Sequence, residues 1–173
     1  MLLAHDHSEL DASLAALLSA LAEGDVELSY CNLDLFWAHL AVHIRAENLA
    51  LFPTLLQASE KSPESGSVPP SETVREIISR LRMDHDFFMI ELAGTMKQLR
   101  ELERGDRHDA ASILAKVQEQ IASVHDRLEA HNQLEESEVY HWAGALLDDV
   151  QQKALNEKLH FELNNLPARF QGS

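Results

Sequence analysis

Residues 33–53 read LDLFWAHLAVHIRAENLALFP, and their apolar positions step by three and four: Leu33, Phe36, Leu40, then positions 43, 47 and 50. That spacing is the buried stripe of an amphipathic helix. At 43 and 47 the stripe carries His43 and Glu47 where Leu or Ile would be expected. Four residues make about one helical turn, so both side chains project from one face into the same interior volume. Burying a carboxylate and an imidazole costs several kcal/mol unless something pairs with them. A metal ion would do so.

On either side the chain repeats this pattern. Leu3, Leu10, Leu14, Leu17 and Leu21 define a first helix whose stripe is completed by His7. Gly24 ends it, and Asp25 is a start signal for the second helix, expected to stop at Pro53 or soon after. Residues 59–71 (SEKSPESGSVPPS) form a Ser/Pro-rich surface linker. Ser71 caps a third helix that runs to about Arg104 through Ile78, Leu81, Phe88, Leu92, Leu99 and Leu102, with His85 in the same line. After a turn at Gly105 and Asp106, a fourth helix starts near Asp109. Its stripe is Leu114, Val117, Ile121, Val124 and Leu128, continued by His131, Glu135 and Glu138. A break near Gly144 precedes a short fifth helix over residues 148–166, opened by Asp148 or Asp149 and packed through Val150, Leu155, Leu159, Leu163 and Leu166.

The two halves echo each other over residues 3–53 and 72–143. His7, the turn at Gly24, and His43 with Glu47 return as His85, the turn at Gly105, and His131 with Glu135. Two αα-hairpins joined by a crossover make an up-down four-helix bundle in which every helix places one His in the common core. Six glycines, and a predominance of Leu, Ala, Glu and Gln over β-branched residues, agree with an all-α fold. At 173 residues the chain forms one domain of ordinary size.

Charge removes several classes of function. With 14 basic and 29 acidic side chains the formal charge is −15, and no Lys/Arg cluster offsets it. Nucleic acid and anionic membrane surfaces are therefore poor partners. Cys31, the one cysteine, excludes an intramolecular disulfide and a thiolate metal cage. No apolar run long enough to span a bilayer is present, and the start MLLAHDHSELD lacks the basic and apolar regions of a signal peptide. These features point to a cytoplasmic, soluble protein, and nothing in them sets an oligomeric state.

Four His-x-x-x-Glu pairs occur: His5/Glu9, His43/Glu47, His125/Glu129 and His131/Glu135. The motif alone is weak, but helix phase sorts the four. His125 stands beside Val124, off the fourth stripe, and His5 stands off the line of Leu3, His7 and Leu10. The in-phase set is thus His7, His43, Glu47, His85, His131 and Glu135, six polar groups in one core, and a metal site accounts for them together. His39, one turn before His43, could be a further imidazole ligand, a hydrogen-bonding partner of the ligands or a helix-edge residue. Glu138, one turn past Glu135, suits a partner or access group better than a ligand. A ferritin-like carboxylate oxidase would want Glu-x-x-His pairs. Glu138/His141 and Glu157/His160 have that spacing, but His141 is out of phase and the second pair sits on the short last helix. The remaining alternative is a metal-free helical interaction module.

The segments DHSELDASLAALLSAL, HIRAENLALFP, MDHDFF and HNQLEESEVY, in this order, resemble the hemerythrin-like HHE cation-binding domains over roughly residues 3–145. The resemblance implies a non-haem di-iron centre. His7, His43, His85 and His131 would be terminal ligands, and Glu47 and Glu135 would bridge the two irons. The sequence departs from the oxygen-carrying members, which have a His-x-x-x-His pair on the third helix, because one turn after His85 it has Met89. The pattern is closer to the four-His, two-Glu branch, which includes iron–sulfur repair and iron- or oxygen-sensing proteins.

Imidazole suits iron, and carboxylates bridge two hard cations at the usual two-metal spacing of about 3.5–4 Å. Two His per iron, two shared Glu and an oxo or hydroxo bridge leave one position on each iron for dioxygen, nitric oxide or peroxide, unless His39 closes one of them. Phe36, Trp37, Phe88 and Met89 would limit water access. The expected function is binding or sensing of a small diatomic, or iron handling under stress. A di-iron oxidase or peroxidase-like activity at the same residues is the alternative.

Overall fold

The computed structural model describes residues 2–61, 68–104 and 110–170, and every regular element among them is helical. α1 spans Leu2–Glu23. Its end is a Schellman motif: Gly24 takes a left-handed φ of +73°, its N–H bonds to Leu21, and the N–H of Asp25 bonds to Ala20. The Asp25 side chain then accepts the N–H of Leu28 and opens α2.

α2 is α-helical over Val26–Ala46, widens to a π turn over Glu47–Leu51, and resumes as α-helix over Phe52–Lys61. It therefore runs on to Lys61, well past the stop at or soon after Pro53 that the sequence suggested. Pro53 falls in the first turn after the π segment, where a restarting helix tolerates a missing N–H. α3 covers Ser71–Glu103 with Pro70 at the cap position and no capping side chain; Ser71 is the first helical residue, not the cap. α4 repeats the plan of α2: α-helix over Ala110–Leu134, a π turn over Glu135–Val139, then Tyr140–Leu146. The turn expected at Gly105 and Asp106, the helix start at Asp109 and linker residues 62–67 lie outside the described residues. α5, Asp149–Leu163, begins with a reciprocal capping box between Asp148 and Gln151.

α1 packs on α2 and α3 on α4, and the hairpins meet through α2–α3 and α1–α4 contacts. α5 lies along α2, anchored by buried Leu155 and Leu159 and by Arg45, whose Nε donates to Glu162 at 2.7 Å. Val150, expected to pack, is exposed instead.

The apolar interior falls into two clusters. One, at the end of the bundle that includes Gly24, contains Leu10, Phe36, Leu40, Phe88, Val117 and Leu128. The other, at the opposite end, contains Leu3, Ala46, Phe52, Leu81, Val139 and Trp142. Each helix crosses from one cluster to the other at its in-phase His: His7 lies between Leu3 and Leu10, and His85 between Leu81 and Phe88. The polar layer is thus enclosed by hydrophobic packing on both sides.

Candidate metal centre

His7, His43, Glu47, His85, His131 and Glu135 meet in this layer with 0–3% of their surface exposed. Their ligand-capable atoms form two groups of four, each with all atoms within 4.8 Å of one another: His7, His43, Glu47 and Glu135, and Glu47, His85, His131 and Glu135. The two glutamates belong to both groups, and their oxygens divide between them. Glu47 Oε1 lies 3.3 Å from His43 Nε2 and Oε2 lies 3.1 Å from His85 Nε2. Glu135 Oε2 lies 3.4 Å from His7 Nε2, and Oε1 lies 3.5 Å from His131 Nε2. His7 and His43 face each other at 3.2 Å through Nε2, as do His85 and His131 at 3.3 Å.

The outer nitrogens of the rings are held in a matching twofold scheme. Within each hairpin, the Asp preceding one His serves the His of the partner helix: His43 Nδ1 donates to Asp6 at 2.6 Å, and His131 Nδ1 to Asp84 at 3.4 Å. Between hairpins, the residue after each glutamate serves the remaining His. His7 Nδ1 donates to Glu136 at 2.8 Å, and the Asn48 amide lies 3.2 Å from His85 Nδ1. Arg127 pairs with Asp84 at 2.6 Å. With Nδ1 committed to its carboxylate partner, His7 and His43 each turn Nε2 toward the centre.

This arrangement fits a metal. The facing Nε2 atoms at 3.2 and 3.3 Å share a proton within each pair, a place that a cation can take. Glu47 Oε2 and Glu135 Oε1 are buried with no hydrogen-bond partner, although each is close to an imidazole; their contacts are short but not aligned as hydrogen bonds. Oxygens buried in this way point into a common volume that a cation would fill.

The electrostatics agree. Burial opposes charge on His43, but the Glu47 carboxylate, Asp6 and Glu135 outweigh it and lift the pKa to about 10. Burial also opposes charge on His131, which Asp84, Glu135 and Glu47 nonetheless raise. Burial pushes Glu47 up, yet His43 and His85 pull it well below the usual carboxylate range. Burial and then the Glu47 charge push Glu135 up. Two carboxylates in one dry volume cannot both ionise cheaply without a cation.

Two other candidates lie elsewhere. His39 is partly buried and lines a surface cleft with His5, Glu9 and His160, apart from the two convergent groups. Glu138 is exposed. The out-of-phase pair His125 and Glu129 lines a cleft of about 510 Å³ between α1 and α4 that reaches His7 and Glu136. His141, Glu157 and His160 are exposed. Phe88 meets His131 edge-on at 5.5 Å, and Phe36 is fully buried. Trp37 and Met89 instead line a groove beside Leu166 and Pro167.

Sequence reasoning missed Asp6, Asp84, Asn48, Glu136 and Tyr140. The signal for the first four was the repeat itself, Asp-His on the first helix of each hairpin and a polar residue after Glu47 and Glu135. Tyr140 is buried against both glutamates, and burial together with the Glu47 and Glu135 charges raises its pKa.

A four-helix bundle with paired His and shared Glu at its centre defines a cation-binding helical domain. The hemerythrin HHE cation-binding domain model matches residues 2–143, and the chain belongs to that family. Neither a curated protein nor a solved structure matches it.

Proposed function

We propose that the protein is a non-haem di-iron protein that binds or senses a small diatomic, dioxygen or nitric oxide, or handles iron under oxidative or nitrosative stress. The observation that carries this reading is the division of each glutamate's oxygens between two imidazole pairs, the arrangement a carboxylate bridge between two cations requires. His7 and His43 would hold one iron, His85 and His131 the other, with Glu47 and Glu135 across both. When bound, the pair of irons, joined by an oxo or hydroxo bridge, supplies redox chemistry toward small diatomics and peroxide.

The chain's own residues set the conditions for that chemistry. Asp6, Asp84, Asn48 and Glu136 orient the rings, and the carboxylates among them make the imidazoles better donors. Leu3, Phe52 and Leu81 on one side and Leu10, Phe36 and Phe88 on the other keep bulk water out. The cleft between α1 and α4 comes up to the polar layer at His7 and Glu136. No helix among the described residues is long and apolar enough to cross a membrane.

The sequence position at which the oxygen-carrying members have a fifth imidazole holds Met89, whose side chain lines the groove beside Leu166 and Pro167, so the diferrous protein should react with dioxygen and not store it. The test is to oxygenate it anaerobically prepared, then evacuate. Conversion to a diferric form that evacuation does not reverse is expected, as is binding of nitric oxide by the diferrous form. Recovery of the diferrous state over many cycles would contradict the reading, and sustained peroxide turnover would assign the site to an oxidase or peroxidase-like enzyme instead.

A further inference from the structure

The two π turns hold equivalent places in the two hairpins, each beginning at a bridging candidate. Each closes with a backbone bond five residues long, from the Phe52 N–H to Glu47 and from the Tyr140 N–H to Glu135. A turn of that width brings residue i+5 over residue i, so the side chain five residues after each glutamate faces the site. In the first hairpin that side chain is Phe52, stacked on His85 with ring centroids 5.7 Å apart. In the second it is Tyr140, 5.7 Å from His7. The rings are counterparts, but only one carries an oxygen.

That oxygen stands among the donors of one half-site. It lies 3.0 Å from His7 Nε2, 3.1 Å from Glu135 Oε2 and 3.3 Å from Glu47 Oε1. These separations match those among the donors themselves, 3.2 Å between His7 and His43 and 3.3 Å between His43 and Glu47. Adjacent donors on an octahedral ion with bonds of about 2.1 Å lie about 3.0 Å apart. A phenol has one proton to share, yet three donor atoms of the candidate ligands lie within 3.3 Å of this oxygen.

Taking the di-iron reading as given, we infer that Tyr140 is a ligand of the iron held by His7 and His43, so that the two irons are inequivalent. The phenolic proton leaves to solvent as the metal–oxygen bond forms, as ligand protons do on metal binding. The first iron then has five protein donors, and a solvent-derived bridge closes its sphere. The second, beside Phe52, has four and keeps the open position, so an exogenous ligand enters at the His85/His131 side. An anionic phenolate also favours the ferric state, which agrees with irreversible oxidation despite one closed iron.

The experiment is visible absorption of the diferric protein at two irons per chain. Wild type should show a phenolate-to-iron(III) charge-transfer band that is lost in Tyr140→Phe. The chain has two tyrosines, and the other, Tyr30, is held by Arg100 at 2.8 Å. Tyr30→Phe should therefore keep the band, which assigns it to Tyr140 even if Tyr140→Phe does not load iron. Absence of the band in fully loaded wild type, its survival in Tyr140→Phe, or its loss in Tyr30→Phe would overturn the inference. A chain that binds fewer than two irons would instead remove the di-iron reading on which the inference rests.

Discussion

Asp6 and Asp84 set the orientation of two candidate ligands, His43 and His131. Each holds the outer nitrogen of a ring whose inner nitrogen faces the centre, and loss of such partners typically lowers metal affinity 10–100-fold. Asp6→Asn and Asp84→Asn should each reduce affinity by about that range in a competitive chelator titration, with little change in helical content. The histidines themselves can be ranked. His43→Ala and His131→Ala should lose metal severely, whereas His125→Ala should keep its full load. An equal loss from His125→Ala would mean that helix phase does not select the ligands. Protons should report on the same groups. In the metal-free protein His43 has a pKa of about 10 against an ordinary 6.5, and His131 is raised as well. A raised histidine stabilises the fold fully below about 6.5 and loses that contribution as the pH climbs through the folded pKa. The Tm of metal-free protein should therefore fall between pH 6.5 and 10, while metal affinity rises over the same range because the ligands must shed protons. A flat Tm across that interval would contradict the electrostatic picture.

At the scale of elements, the stripes of the four long helices and their polar positions as far as Glu47 and Glu135 were legible because an apolar period of 3.6 residues needs only the local sequence. Glu138, expected on the fourth stripe, is instead turned out to solvent within the π turn. The π turns were not legible. A single widened turn shifts phase by one residue, and such a shift cannot be told from an ordinary irregularity in the apolar pattern. That is why Tyr140 did not stand out beside Glu135, and why Pro53, tolerated just after the first π turn, reads in the sequence as a stop for α2 at or soon after that position. The outer partners were hidden for another reason: the contact from Asp6 to His43 joins different helices, so register decides it, not sequence neighbourhood. The first hairpin turn, in contrast, was readable from Gly24 and Asp25 alone. A methyl group added at Gly24 meets nothing nearer than Leu114 at 3.9 Å, so the cost of Gly24→Ala should be purely conformational. A left-handed backbone costs an L-residue about 1–2 kcal/mol. Urea unfolding of Gly24→Ala should show a loss of that size at unchanged m-value, and no loss would mean that the turn relaxes to another geometry.

For the molecule as a whole, the repeat in the sequence becomes a repeat in space. Two hairpins bring equivalent His and Glu around one centre, and the pseudo-twofold relation is broken at Phe52 and Tyr140 and again at Asn48 and Glu136, which hold the outer nitrogens of His85 and His7. The bundle closes hydrophobic clusters above and below the polar layer, so the six charged or chargeable groups have nowhere to go but toward each other or toward cations. That is the central claim, and stoichiometry tests it most directly. Protein reconstituted anaerobically with ferrous iron and freed of excess should contain two tightly bound irons per chain, measured by elemental analysis against protein concentration. Zero or one would contradict it.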